Sequence, residues 1–320
     1  MLRPASREEV RAIALPLYLL LNSAHKQKDD FDIVLAGALS IVANLAYCAI
    51  GAEERERRIR AKLVPCQLYE RLLLGESFDF VQRMSEGLDF AGTTVVRTKF
   101  FVAIIVPAGE MIIVGIRGTQ FAYDWLLNLQ ATKRVGQNEV HYHSGFYKEA
   151  DKLWELLRID LQRRFGTWRR AGRPNLYFTG HSLGGAIAAI LNQQTEFPPA
   201  IGCYTFGAPR ICAQQDANSV RQPFAMRRDL DVVPHCPPLS LNFAEYTRQK
   251  DVDGTPYVSA NALEFYFFLR WLGTMAIYSF PEHHSMERYV QEVVGNAVRD
   301  HRVEEYWNRP GSSHRENWPF

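Results

Sequence analysis

From Gly92 onward, short apolar runs alternate with longer stretches in which apolar residues recur at helical spacing. The apolar runs predict strands, and turn-sized gaps separate the first three. The predicted strands are Thr93–Arg97, Phe100–Val106, Met111–Ile116, Asn175–Thr179, Ile201–Phe206 and Phe224–Arg227. The helical spacing predicts helices over Phe146–Phe165 and Leu183–Thr195. Strands that alternate with helices indicate a parallel or mixed sheet covered on both faces.

Two apolar stretches precede this pattern. Ala12–Ala24 has the length of a signal-peptide apolar region, but Glu8 and Glu9 lie where positive charge is typical and Pro16 interrupts the run. We therefore expect a helix there, and an intracellular protein that is soluble or peripherally membrane-associated rather than secreted. Ile33–Ala52 has 20 residues without a charge, which is long enough to span a bilayer. Hydropathy alone leaves both a buried helix and a membrane segment open.

A later segment, Phe265–Phe280, is dense in aromatic residues and contains one charged residue, Arg270. Two interpretations stay open for this segment. It is either an insertion that packs on the domain, or an apolar flap that lines an acyl pocket or contacts lipid.

Composition narrows the class of protein. The chain has 320 residues, of which 47% are hydrophobic and 22% charged, so a large buried core is expected and disorder is not. The 37 basic and 35 acidic residues give a net charge of +2, which argues against a nucleic-acid partner. Five cysteines are spread without Cys-x-x-Cys spacing, and His-Glu-x-x-His is absent. We therefore expect buried thiols, no disulfide framework and no metal site.

The strongest chemical signal is Gly180-His181-Ser182-Leu183-Gly184, which lies between a predicted strand and a predicted helix. This is the Gly-x-Ser-x-Gly pattern of a nucleophile elbow, in which a tight turn presents the serine hydroxyl above the sheet. Small flanking residues avoid clashes at such a turn. The helix that follows points free N–H groups at any oxyanion that forms. The pattern therefore predicts that Ser182 is a nucleophile.

A serine hydroxyl is a poor nucleophile near neutral pH, so it needs a base that a third group orients. With this elbow, the acid and then the histidine follow the serine along the chain. Two acidic residues follow a predicted strand, Asp229 and Asp231. The downstream histidines are His235, His283, His284, His301 and His314. Spacing alone does not choose among them.

Further motifs surround the elbow in a fixed order. They are Ile116-Arg117-Gly118-Thr119, Asp124-Trp125, His143-Ser144-Gly145-Phe146, Thr205-Phe206-Gly207-Ala208-Pro209-Arg210, Asp231-Val232-Val233-Pro234, and His284 with Tyr289. With the elbow these seven motifs, within Gly92–Tyr289, resemble the class 3 (fungal-type) lipases. Leu45-Ala46-Tyr47-Cys48 also resembles the N-terminal helix of that family, which favours a buried helix over a membrane segment.

The resemblance implies an α/β-hydrolase fold, with a mostly parallel central sheet flanked by helices and an N-terminal helical extension. We place the extension at residues 1–75 and the catalytic domain at residues 76–320.

The resemblance also implies a role for each matching residue. Asp231 begins the Asp-x-Val-Pro motif and would be the triad acid, in preference to the aspartate two residues earlier. His284 would be the base, in preference to the histidine before it, while His143 is a weaker alternative. The N–H groups of Thr119 and Leu183 would bind the oxyanion.

The sequence departs from the family pattern near the expected pocket. Asn128 stands where the family usually has an aspartate after its Asp-Trp motif. Gln120–Leu129 is a short apolar segment at the place where the family's lid begins. Asp253–Phe280 looks like additional sequence ahead of the base. The shape of the pocket is therefore not predicted.

The function that the resemblance implies is a serine hydrolase that cleaves carboxylic esters of lipids, most simply acylglycerols, through an acyl-enzyme. One alternative is a phospholipase or acyltransferase with the same triad. A second alternative is a non-catalytic lipid-binding module. The expected partners are the lipid ester substrate and, transiently, a membrane or lipid-droplet surface, without nucleic acid, metal or cofactor.

Overall fold

The computed structural model of the protein describes residues 16–24, 30–48, 93–118, 132–168, 175–194, 200–229, 231–257 and 283–307. The strands in these segments are β1 (Thr94–Arg97), β2 (Val102–Ala108), β3 (Met111–Ile116), β4 (Lys133–Val135), β5 (His141–His143), β6 (Asn175–His181), β7 (Ala200–Phe206), β8 (Phe224–Arg227) and β9 (Gln249–Asp251). The helices are α1 (Ile33–Cys48), α2 (Ser144–Trp168), α3 (Leu183–Gln194), α4 (Met286–Ala297) and α5 (His301–Trp307), and residues 16–23 are also helical.

The central sheet has the strand order β1-β2-β3-β6-β7-β8-β9, and β4 pairs with β5 separately. The β1–β2 and β2–β3 pairs are antiparallel, whereas the pairs from β3 to β9 are parallel. Both β2 and β3 are buried along their whole length, as expected for strands covered on both faces. The predicted mostly parallel sheet flanked by helices is confirmed.

Each face of the sheet has its own apolar core, because successive side chains of a strand point to opposite faces. In β2, Ile104 belongs to the core that contains α1 and α4, whereas Ile105 belongs to the core that contains α2 and α3. The two helices α1 and α4 also pack on each other. Helices therefore pack against both faces of the sheet, α1 and α4 on one face and α2 and α3 on the other.

The charge-free helix α1 lies inside the protein. Every side chain from Val34 to Ala46 is buried, because α1 lies between the sheet and α4. Thr179 in β6 donates a hydrogen bond from its hydroxyl to the carbonyl of Leu39 at 3.2 Å, which ties α1 to the sheet. Packing on all sides explains why the helix is apolar all round. Among the described residues, no helix is long and apolar enough to cross a membrane.

Several predictions concern residues that the structure does not describe. The boundary at residue 75 is one, and it stays a prediction. The lid segment Gln120–Leu129 and the aromatic segment Phe265–Phe280 also lie outside the described residues.

Of the five cysteines, Cys203, Cys212 and Cys236 are buried free thiols.

The observed strands differ from the prediction in two ways: one strand ends later than predicted, and three short strands were not predicted. Pro107 lies in β2 opposite Ile112, so β2 ends at Ala108, two residues after the predicted end at Val106, and Gly109 with a φ of +57° begins the turn. The short strands β4, β5 and β9 have three residues each and are largely polar, so no apolar run marks them. Propensity is a weak guide to strands of this length because their pairing is decided by tertiary contacts.

Gly115 allows α1 to lie directly against β3. A Cβ atom at this position would lie 2.9 Å from both the Cγ1 and the carbonyl oxygen of Val42. We expect Gly115→Ala to lower the free energy of unfolding by about 1 to 3 kcal/mol, because backbone must shift to relieve the overpacking. Gly295→Ala in α4 is the matched control, since a Cβ there meets nothing within 4 Å. Equal urea midpoints for the two variants would contradict this packing.

Candidate active site

Ser182 lies on a tight turn between β6 and α3, and its φ of +56° is unusual for a residue with a side chain. Three backbone hydrogen bonds hold this conformation. The N–H of Ser182 donates to the carbonyl of Phe206 in β7 at 2.9 Å, and its carbonyl accepts from the N–H groups of Gly185 and Ala186. The turn therefore begins α3 and fixes the serine against the neighbouring strand.

Glycines bring the start of α3 close to the sheet. A Cβ on Gly184 would lie 2.2 Å from the carbonyl oxygen of Ile116, and a Cβ on Gly180 would lie 2.5 Å from the backbone of Gly184. Leu183 is the first residue of α3, and an N–H at this position has no acceptor within the helix. The arrangement can direct that N–H toward an anion formed at Ser182.

Asp231 and His284, both predicted from the sequence, lie in contact. The Nδ1 atom of His284 is 2.8 Å from Oδ2 and 3.0 Å from Oδ1 of Asp231. The hydroxyl of Tyr289 in α4 donates to Oδ2 at 2.7 Å, and the N–H of Val233 donates to Oδ1 at 3.0 Å. These three donors satisfy a carboxylate that is only 1% exposed. The alternative acid Asp229 is exposed.

The Asp231–His284 pair lies beside the elbow. The ring centroids of His284 and His181 are 4.4 Å apart, and His181 immediately precedes Ser182. The hydroxyl oxygen of Ser182 is buried and has no hydrogen-bond partner among the described residues. A hydroxyl in that condition is ready to interact with a substrate or a base that approaches it.

Gly207 makes room for the Asp231–His284 pair. Its φ is +57°, and a Cβ there would lie 2.6 Å from Oδ2 of Asp231 and 3.1 Å from Cε1 of His284. Any side chain at this position would displace the carboxylate. The lack of space for a Cβ atom beside the Asp231 carboxylate thus explains the glycine in the Thr205-Phe206-Gly207 motif.

The sequence did not predict the partner of His181. Its Nδ1 atom shares a hydrogen bond of 2.7 Å with the hydroxyl of Tyr47, which comes from the end of α1. Burial, and then the nearby His284, hold the pKa of His181 well below its ordinary value. His181 therefore stays neutral, so a positive charge on the nearby His284 ring would not be opposed by a second cation. A Cβ on Gly118 would lie 2.7 Å from the Tyr47 hydroxyl and 3.2 Å from Cβ of Ser182.

Buried arginines hold the loop that follows Asp231. Arg210 donates from Nη1 to the carbonyls of His235 and Pro237 at 2.8 and 2.9 Å, and from Nη2 to Glu245 at 2.7 Å. Arg227 donates from Nη2 to Nε2 of His235 at 2.8 Å. Burial and these two guanidinium groups lower the pKa of His235 to about 3. His235 is therefore a neutral hydrogen-bond acceptor of the loop.

The other candidates are placed differently. His143 stacks on Phe146 with ring centroids 4.0 Å apart, and burial lowers its pKa to about 4. His301 is 78% exposed on its side chain, at the start of α5. Thr119 and His314 lie outside the described residues, so the oxyanion role of Thr119 stays a prediction. Within the described part of the chain, no group of three or more metal-ligating side chains could hold a metal ion.

The sheet order, the serine on a strand–turn–helix, and an acid and a histidine that follow it in that order are the features of an α/β-hydrolase fold. Residues 113–241 match the family model described as lipase (class 3). This match agrees with the resemblance to class 3 lipases that the motifs gave, and it covers the nucleophile elbow and Asp231.

Curated relatives and a solved structure are similar to part of the chain. The chain is 27% identical over 177 residues to secreted mono- and diacylglycerol lipase 1 of Fusarium solani, covering 51% of each protein. It is 28% identical over 162 residues to lipase ZK262.3 of Caenorhabditis elegans, covering 46% of this chain and 43% of the relative. The chain thus spans about half the length of these curated relatives. Lipase II from Rhizopus niveus has a TM-score of 0.47 at 18% identity, covering 64% of this chain and 74% of that chain.

The expectation of an intracellular protein is contradicted by these comparisons, because the Fusarium solani relative is named as a secreted lipase. That expectation rested on Glu8, Glu9 and Pro16, which describe only the local polarity of the N-terminal stretch. Local polarity does not determine the compartment in which a fold works. The expectation was wrong.

The buried His235 should make stability depend on pH. Its pKa is about 3 in the folded protein against an ordinary value of 6.5, so the unfolded chain binds the proton first as pH falls. Stability is therefore lost from about pH 6.5 downward, by up to about 1.4 kcal/mol per pH unit from this residue. We expect His235→Gln, whose amide oxygen can still accept from Arg227, to flatten this dependence in urea unfolding from neutral to acidic pH. His301→Gln is the control, and an equal slope in both variants would contradict the assignment.

Proposed function

We propose that the protein is a serine hydrolase that cleaves carboxylic esters of lipids. Ser182 is the nucleophile, His284 is the general base and Asp231 orients it. The observation that carries this proposal is the buried Asp231–His284 hydrogen bond of 2.8 Å beside a buried serine with positive φ.

Acylation uses the two ring nitrogens of His284 in different ways. Nδ1 donates to Asp231, which leaves Nε2 to remove the proton of the Ser182 hydroxyl as Oγ attacks the ester carbonyl carbon. The carbonyl oxygen becomes an oxyanion, which the N–H groups of Leu183 and Thr119 bind. The C–O bond to the alcohol then breaks, and the alcohol leaves with the proton from Nε2.

Deacylation repeats these steps with water. His284 removes a proton from water, whose oxygen attacks the acyl-enzyme, and the proton passes to Ser182 as the fatty acid leaves. The carboxylate of Asp231 stabilises the imidazolium that forms in each half-reaction. A neutral His181 assists because no second cation opposes that charge. Each oxyanion donor contributes roughly 3 to 4 kcal/mol to the transition state.

The lipid substrate is inferred from the names of the matched family and of the similar proteins. The matched family and the relatives from Fusarium solani and Caenorhabditis elegans are named lipases. The name of the Fusarium solani relative specifies mono- and diacylglycerols. We extend this to acylglycerol esters for the present protein. The reaction centre itself would serve any carboxylic ester, so chain length must be measured.

The nucleophile is tested by Ser182→Ala. We expect kcat for p-nitrophenyl esters to fall by about 10⁴-fold or more, because no other group on the elbow can form the acyl-enzyme. A fluorophosphonate should label the unaltered protein at Ser182 and leave the variant unlabelled. Ser240→Ala, at an exposed serine, is the matched control and should retain both properties. Near-normal turnover in Ser182→Ala would refute the proposal.

The same assay tests the lipid assignment. Rates compared from p-nitrophenyl acetate to p-nitrophenyl palmitate should rise toward the long chain, since a lipase pocket binds the acyl group by apolar contact. A maximum at acetate would instead make the protein a general esterase. Product analysis with triacylglycerol against glycerophospholipid then separates an acylglycerol lipase from a phospholipase.

Tyr289 is expected to support the base through Asp231. In Tyr289→Phe the carboxylate loses one of three donors, and a hydrogen bond to a charged group contributes about 1.5 to 3 kcal/mol. We expect kcat to fall between about 10-fold and 100-fold, with KM little changed. Tyr204→Phe removes another buried hydroxyl, one that accepts from the N–H of Asp32 at the start of α1, and it serves as the control. Equal kcat values for the two variants would exclude this role.

A further inference from the structure

Arg228 directly follows β8, and its side chain contacts both α4 and the segment before α4. Its Nε and Nη2 atoms donate to the two carboxylate oxygens of Glu292 at 2.8 and 2.7 Å, and its Nη1 atom donates to the carbonyl of His283 at 2.7 Å. The side chain is 13% exposed, compared with 37% for Glu292. The arginine is therefore held in one orientation by acceptors on all three of its nitrogens.

The same residue also contacts the acid of the site through its backbone. The carbonyl of Arg228 accepts the N–H of Asp231 at 3.0 Å. Its side chain meanwhile holds the carbonyl of the residue immediately before His284. One residue thus connects the backbone of the acid to the backbone beside the base, although these two lie 53 residues apart in the chain.

A guanidinium suits this position for a geometric reason. It is planar and offers a bidentate face to a carboxylate, and it still has a further N–H for a carbonyl. The Arg228 group also lies over the ring of Tyr289, 5.9 Å from its centroid. A lysine ammonium could neutralise Glu292 but could not reproduce this fixed fork.

We propose that Arg228 is a positioning residue that fixes the orientation of His284 relative to Asp231. Its kinetic consequence rests on the proposed hydrolase function, whereas its structural consequence does not. When the fork is lost, the segment before α4 is freed from β8. The His284 ring then spends less time in line with the carboxylate.

The first test is spectroscopic and needs no turnover. A proton held between an imidazole nitrogen and a carboxylate resonates far downfield of other ring protons, and the His284→Ala variant assigns that signal. In Arg228→Gln we expect the exchange of this proton with water to rise about tenfold or more, because the pair opens more often. Arg228→Lys should lie between this variant and the unaltered protein.

The second test is kinetic, on p-nitrophenyl esters. We expect Arg228→Gln to lower kcat between about 10-fold and 100-fold with KM nearly unchanged, since small misplacements of a base act on the chemical step. Arg302→Gln is the matched control. It removes an equally short bidentate pair, with Asp32 at 2.9 and 2.7 Å, at the opposite end of α1 from Tyr47. It should reduce stability while leaving kcat and the downfield signal unchanged.

Glu292→Gln keeps the proposal testable if Arg228→Gln does not fold. This surface change keeps Arg228 but weakens the fork, so a smaller loss of kcat and a smaller rise in proton exchange are expected. An unchanged signal and an unchanged kcat in Glu292→Gln, or in a folded Arg228→Gln, would overturn the positioning role. A signal that responds to Arg228 in a protein without ester hydrolysis would support positioning and refute the proposed function instead.

Discussion

The close approach of α3 to the sheet is the constraint on which the site depends. It puts Ser182 in a left-handed conformation that costs roughly 1 to 2 kcal/mol, and this cost is offset by three backbone hydrogen bonds, one to β7 and two from the first turn of α3. The approach is sterically available only because Gly180 and Gly184 have no side chains, the latter with 2.2 Å between an added Cβ and the carbonyl of Ile116. The serine position and the helix N-terminus are thus consequences of one packing contact.

A second constraint is the buried carboxylate of Asp231. Removing an ion from water costs several kcal/mol, so a 1% exposed aspartate persists only where its oxygens are well supplied with donors. The donors come from separate places in the fold, namely His284, the α4 residue Tyr289 and the N–H of Val233. The requirement for all three explains why the loop after β8 and the start of α4 must meet.

The sequence predicts what depends on local spacing and leaves out what depends on long-range contact. The Ser182 elbow and the strand Phe224–Arg227 follow from short patterns, and the structure has both. The Tyr47–His181 hydrogen bond joins residues 134 apart, so no local pattern indicates it. Apolar composition cannot separate a buried α1 from a membrane segment, because both are apolar all round. Only the packing of α4 on α1 decides between them.

The two faces of the sheet contribute differently to the chemistry. On one face α3 begins directly after Ser182, while on the other face α1 and α4 share a single apolar core. The end of α1 brings Tyr47 to His181, and the start of α4 brings His284 and Tyr289 to Asp231. Tyr47 and Tyr289 therefore reach the site from two helices that share one apolar core, and the C-terminal end of α1 is part of the construction of the site.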